Sequence, residues 1–328
     1  MDWPLAIVCY HRVLPEHERD GDGRPYFMRG TAVSDRNFAE HLRSFQRHFD
    51  VLAESDVIKW LNGERALDRP SCWITFDDGY RDLVTTAAPM LADYGFPATA
   101  FLTTDVVGSP GRLLPADHWY AALTRAKQTH GVLRLDGLPS FEFNMKRDYP
   151  RLVDGPERRS YLTAPPTRQA KMQAELAAAF GMGGATPARL YVDWSDVARL
   201  PASGWTFGGH GVTHSILTTL EGASLAHEVE AATTELRVRG LLGRVFAYPD
   251  GACSQVVASV VKAAGYRAGV VLGNEGAHRA HNPFALPRFI PGDSPAWVEE
   301  ALLARLTLRA ATCCARSSPP FAYDRNPR

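Results

Sequence analysis

The sequence predicts an α/β fold, a distorted (β/α) barrel of about seven units carrying a helical insertion. Three observations carry that expectation. Short apolar, β-rich runs alternate with stretches of helical periodicity along most of the chain, the pattern of β-α units around a parallel sheet. The chain has 328 residues, 45% hydrophobic and 22% charged, enough for a sizeable core in one large domain or two small ones. Between about residue 105 and residue 192 the rhythm fails for longer than an ordinary connection in a compact domain. An open, doubly wound sheet is the alternative, and periodicity alone does not separate the two.

In chain order, strand-like runs fall at 5–10, 71–76, 98–103, 205–207, 244–248, 267–271 and 284–290. After the first, Phe38, Leu42, Phe45 and Phe49 recur on one helical face behind a capping residue, Ser34. Leu225, Val229 and Leu236 mark a later helix in the same way. The segment 105–192 reads as an insertion with its own helices, placed to cap a site. From Arg112 to Arg189 it holds twelve Lys or Arg against seven Asp or Glu, an excess of five positive charges. That excess is either a solvated basic face or a lid that meets an anionic part of a substrate. The barrel is expected over 1–310, and 311–328, rich in Ser, Pro and Arg, as a disordered tail.

The formal net charge is zero, so no long-range field draws the molecule to nucleic acid. No run approaches the roughly 18 apolar residues of a membrane span, and the N-terminus lacks the pattern of a secretion signal. The expectation is a cytoplasmic protein. The five cysteines, Cys9, Cys72, Cys253, Cys313 and Cys314, show no C-x-x-C spacing and read as free thiols of a reducing compartment.

Two constellations carry chemistry. Ile74-Thr75-Phe76-Asp77-Asp78-Gly79 is a buried-type strand that ends in two carboxylates and a glycine. In parallel β/α folds, reactive groups gather at the carboxyl ends of strands, although Asp-Gly also makes ordinary turns. Gly208-Gly209-His210-Gly211-Val212-Thr213-His214 follows another strand, and its two imidazoles, four residues apart, can converge on one metal ion. Together the motifs offer the two-His, one-carboxylate set of an open metal site.

With both motifs present in this order, the sequence resembles the polysaccharide deacetylase family (the NodB-homology domain, carbohydrate esterase family 4), from the first strand to about residue 306. The resemblance implies a distorted β/α barrel, Asp77 as general base, and Asp78, His210 and His214 as ligands of one divalent metal. Zinc is the first expectation, with cobalt, nickel or iron also suited to such ligands. It also implies that Phe246-Ala247-Tyr248-Pro249-Asp250-Gly251 is the family's third motif. Tyr248, Pro249 and Asp250 would then line the acyl pocket, with an oxyanion-stabilising N–H at Asp250.

Three departures follow. Ala247 stands where many members carry an arginine that orients the base, so Arg288 is the candidate for that work. Asp250 stands where relatives usually place an aromatic residue. The usual acid histidine near the C-terminus is not visible, whereas Ile7-Val8-Cys9-Tyr10-His11 looks like its motif. A circularly permuted branch of the family carries that histidine at this end, which makes His11 the expected acid and leaves His278 and His281 as weaker candidates. The expected reaction is hydrolysis of an N-acyl, foremost N-acetyl, amide on an amino-sugar-like small molecule or glycan precursor, with or without an anionic portion. Hydrolysis of a non-sugar amide such as a formamide or cyclic imide is a second reading, and a silent carbohydrate-binding relative a third.

Overall fold

The computed structural model describes residues 3–181 and 189–310; Cys313, Cys314 and the expected tail lie outside them. Seven parallel strands form the framework: β1 (Leu5–Tyr10), β2 (Ser71–Phe76), β3 (Ala98–Leu102), β4 (Trp205–Gly209), β5 (Val245–Ala247), β6 (Ala268–Leu272) and β7 (Leu286–Arg288). Ladders join β1 to β2, β2 to β3 and β3 to β4, and separately β5 to β6 and β6 to β7. At the remaining two seams the pairing narrows to single parallel bridges, Phe207 with Leu242 and Val8 with Phe289. The path of strands therefore returns to β1, and those two thin seams are where the barrel is distorted.

Side chains alternate between two environments along each strand. Leu5, Ile7, Trp73, Phe101, Val245, Ala247, Val270 and Leu286 pack together inside. Ala6, Val8, Tyr10, Ile74, Phe76, Ala100 and Leu102 pack outward with Phe38, Leu42 and Phe45 of α1 (Asp35–His48). Helix α1 starts as its sequence predicts, with the Ser34 hydroxyl accepting from Asn37 N at 3.2 Å. Carrying the inward parity past the ends of the strands brings Cys9, His11, Asp77, His210 and Arg288 to one end of the barrel.

In the expected insertion, α2 (Pro115–Thr124), α3 (Met145–Asp154), α4 (Pro156–Thr163), α5 (Pro166–Phe180) and a small antiparallel pair, His130–Leu133 with Phe141–Asn144, surround Trp119, Tyr161, Met172 and Phe180. Leu14, Tyr26, Ala32 and Tyr80, from loops that follow barrel strands, join the same cluster. Seven of its twelve basic residues are in ion pairs with nearby carboxylates, as on a solvated face. Two later helices, α6 (Gly222–Val238) and α7 (Gln255–Ala263), cover the outside of β4 to β6, and Leu225, Val229 and Leu236 are buried there as expected. Among the described residues no helix is long and apolar enough to cross a membrane.

Candidate active site

The chain leaves β2 in a tight turn. Asp77 N donates to Tyr10 O at 2.9 Å, fastening the turn to β1, and Gly79 N donates back to Asp77 O at 2.9 Å. Asp78 has φ of 72°, a left-handed conformation that residues with a Cβ adopt reluctantly. His214 (φ 63°) and Asp250 (φ 57°) share it. Three of the four non-glycine residues with positive φ among the described residues lie in the three motifs, the fourth being Arg189, and such strain is common where geometry is held for function.

That strain turns Asp78 onto the two imidazoles. Its Oδ1 lies 3.4 Å from His210 Nε2 and 3.2 Å from His214 Nε2, and all three side chains offer atoms within 4.8 Å of one another. His210 Nδ1 is 2.7 Å from Ala247 O. A carbonyl only accepts, so the ring proton sits on Nδ1 and the Nε2 lone pair faces the cluster. Asp78 Oδ1 is buried with no hydrogen-bond partner. Burial alone would raise the Asp78 carboxyl, yet the charge of His214 holds it well below its usual range. Burial likewise would lower His214, but Asp78 pushes it up to about 9. A site this eager for positive charge, with an orphaned carboxylate oxygen between two ring nitrogens, fits one divalent cation.

Asp77 faces a different partner. Burial raises its carboxyl, and Arg288 followed by His210 outweighs that and brings it down to about 2. Arg288 is fully buried and grips both carboxylate oxygens, while the Cys9 thiol donates to Asp77 Oδ2 at 3.3 Å. His11 lies in the same group, its donor atom within 4.8 Å of those of Cys9 and Asp77, and its Nδ1 is buried without a partner.

Two supporting residues were not foreseen. Glu228 of α6, 5% exposed, accepts from Val212 N at 2.8 Å, Thr213 N at 3.0 Å and Thr213 Oγ1 at 2.6 Å, clamping the loop between the two histidines. Its signal was present: 225, 228, 229, 232 and 236 form one helical stripe, and Glu228 is the charged member on it. Cys9 shares the inward parity of Leu5 and Ile7, which is how a free thiol comes to touch Asp77.

The third motif is close by. Asp250 is near enough for its charge to raise His214, and Pro249 lies against the Gly211 backbone, 3.6 Å from where a Cβ would stand. Tyr248 instead turns its ring into the outer layer with Phe246 and Tyr266, and its hydroxyl donates to Phe284 O at 3.0 Å; any part it has in a pocket falls to its backbone. His278 and His281 are elsewhere. Ala277, beside His278, pairs with Leu5 at the opposite end of β1 from His11, roughly 20 Å away along the strand at about 3.3 Å per residue.

The parallel β/α framework brings an Asp–His–His cluster that could hold a metal ion and a separate Asp–Arg pair to one strand end. The comparisons give the family: a model of the polysaccharide deacetylase family matches residues 64–136 and 154–269, more than half of the chain, and the protein belongs to that family. Among solved structures it is similar to the Streptococcus pyogenes deacetylase PplD in complex with acetate, at 16% identity and a TM-score of 0.57, covering 93% of this chain and 98% of that one. It is similar to IcaB from Ammonifex degensii, at 18% and 0.53, with 93% and 98% covered. A Bacillus cereus polysaccharide deacetylase gives 13% and 0.56, with 93% and 69% covered. At these identities the likeness speaks for the fold. No curated protein sequence matches the chain.

Proposed function

We propose that the protein is a metal-dependent N-deacetylase that hydrolyses the N-acetyl amide of an amino sugar within a glycan or glycan precursor, releasing acetate and a free amine. The observation that carries this reading is the side-by-side placement of two different carboxylates. Asp78 is turned to two imidazoles, and Asp77 to a guanidinium. A divalent cation, with zinc the first choice, held by Asp78, His210 and His214 would supply Lewis-acid polarisation of the amide carbonyl and acidify water.

The remaining work falls to this chain's own side chains. Asp77, kept ionised by Arg288, accepts the proton of the attacking water. Arg288 holds the carboxylate plane, so the accepting oxygen is in place before substrate arrives. His11, at the end of β1 and beside Asp77, donates a proton to the departing nitrogen; its position on the first strand supports the circularly permuted arrangement. Backbone N–H groups of the turn at Pro249 and Asp250 stabilise the developing oxyanion. The left-handed Asp250 in the middle of that turn supports the assignment.

The test is metal analysis of the purified protein followed by acetate release from N-acetylated sugars. About one divalent metal per chain and chelator-sensitive release support the reading. Metal content unchanged in His214→Ala would remove the ligand set, and release of acid from formamides or cyclic imides but not from sugars would move the substrate class.

A further inference from the structure

Among the described residues, two groups of side chains at the strand ends are able to hold a cation, and the proposed function uses one. The other consists of Cys9, His11 and Asp77, whose ligand atoms lie within 4.8 Å of one another. The two groups share a border, since Asp77 Oδ2 is 3.8 Å from His210 Nε2. Cys9 is fully buried, and its thiol donates to that same Oδ2 at 3.3 Å. This is close to the spacing of about 3.5 Å between a sulfur and an oxygen bound tetrahedrally to one ion at about 2.3 and 2.0 Å. His11 Nδ1 is buried with no hydrogen-bond partner, so the ring is not tied at that atom by a bond that a cation would have to break.

The other described cysteines lack this setting. Cys72 packs in the outer apolar layer, and the Cys253 thiol is directed to the carbonyls of Ser254 and Phe284. Burial pushes the Cys9 thiol well above its usual range, against the pull of Arg288, so it is a neutral thiol at neutral pH and a poor nucleophile. A metal changes that balance, because a sulfur–metal bond replaces the sulfur–proton bond and the proton leaves to solvent. Charge decides which metal. The Arg288 guanidinium is 2.7 Å from each oxygen of Asp77, and a divalent ion at Asp78 would stand next to it, so a second divalent ion meets strong repulsion. A singly charged ion in place of the thiol proton leaves the net charge of the site as it was. Among such ions, a soft thiolate beside an imidazole selects Cu(I).

We propose that Cys9, His11 and Asp77 form a second cation site, selective for Cu(I), whose filling stops hydrolysis. Thiolate and imidazole supply the two strong bonds, and Asp77 Oδ2 a weaker third. Binding exchanges the Cys9 proton for copper with no electron transfer: the metal enters as Cu(I) and stays so. It occupies His11 and one oxygen of Asp77, the groups given the proton-donor and base roles above, while Asp78, His210 and His214 keep their own ion. The inhibition rests on the N-deacetylase reading, whereas the binding does not.

The experiment titrates Cu(I), delivered anaerobically from a cuprous chelator, into the full zinc-loaded chain carrying Cys253→Ser, Cys313→Ser and Cys314→Ser, so that those thiols do not compete. About one copper per chain should bind with zinc retained, and X-ray absorption should show a single sulfur with nitrogen or oxygen neighbours at the copper. Cys9→Ser keeps a donor to Asp77 but exchanges a soft atom for a hard one, so it should abolish copper binding and leave zinc in place. His11→Ala should weaken copper binding by about tenfold or more, the scale of one lost ligand at about 1.4 kcal/mol or above. Acetate release from an N-acetylated sugar should fall in step with copper bound and return when excess chelator removes it. Loss of zinc in step with copper uptake, two sulfur neighbours, or copper held equally well in Cys9→Ser or in His11→Ala overturns the site. If Cys9→Ser does not fold, the neighbours counted at copper in the parent chain still decide. Copper bound with acetate release undiminished overturns the inhibition, and the roles of His11 and Asp77 with it. A zinc-loaded chain that releases no acetate from any N-acetylated sugar rejects the deacetylase reading, while the copper titration, read without substrate, still accepts or overturns the site.

Discussion

Both terminal nitrogens of Arg288 donate to Asp77, Nη1 to Oδ1 and Nη2 to Oδ2, each at 2.7 Å, in a pair that is almost wholly closed to solvent. The arginine arrives from β7, not from the third motif, where Ala247 leaves room. This bidentate grip is what allows a carboxylate to remain charged inside the barrel.

Removing the cation should therefore hurt more than removing the pair. Arg288→Met is expected to lower unfolding stability by about 3–5 kcal/mol, because Asp77 is left buried and unpaired. Asp77→Asn combined with Arg288→Met should recover most of that loss, as read by urea denaturation. Neither variant should retain more than about one part in a hundred of wild-type turnover. A double variant as unstable as Arg288→Met alone would show that packing, and not charge, is what Arg288 provides.

His11 can be tested by changing the leaving group. An amide nitrogen needs a proton to depart and a phenolate does not, so His11→Ala should depress amide turnover far more than hydrolysis of an activated aryl ester. Metal content should be unchanged. Equal damage to both substrates would confine His11 to holding the first loop, and His278 and His281, at the other end of β1, do not offer a replacement.

Glu228 should govern how tightly the cation is held. Its carboxylate is the clamp on the backbone between His210 and His214, and loss of such support typically costs ten- to a hundredfold in metal affinity. Glu228→Ala should fall in that range in a zinc titration, with Glu228→Gln, which keeps one acceptor oxygen, in between. Wild-type affinity in both variants would mean that the loop holds itself.

Asp293 ties the loop after β7 to the start of α1, accepting from Ser34 N at 2.9 Å, Ser34 Oγ at 3.1 Å and Asn37 Nδ2 at 2.7 Å, and pairing with Arg19. Burial raises its carboxyl, but the Ser34 and Asn37 hydrogen bonds and Arg19 together lower it. A carboxyl depressed in the folded state contributes stability that is full above its unfolded value, about 3.9, and is lost as pH falls through the folded value. Melting curves from pH 7 to 3 should show a steeper acid loss in the wild type than in Asp293→Asn. Parallel curves would remove Asp293 from the acid response.

What the sequence determined by itself is what depends on neighbours along the chain. Strand parity, the Ser34 cap, the Asp77-Asp78-Gly79 turn and the His210 to His214 spacing are set within a few residues, and each was legible as pattern. The seven strands appear where their apolar runs stand, with boundary shifts of one or two residues at 98–102, 205–209, 245–247 and 268–272 and a last strand shortened to 286–288. Only the tertiary structure decided which distant groups meet. Glu228 is sixteen residues beyond Val212 and Cys9 sixty-eight before Asp77, and no local periodicity encodes that a helix will turn its one charged stripe residue onto a loop. Nor did the chain announce that the insertion and the barrel loops share a core, with Asp117 bound to Tyr26, Tyr80 and Tyr191. Such contacts depend on how strands close around a common axis and on which buried polar groups then find partners, a condition satisfied only when the whole chain has been packed.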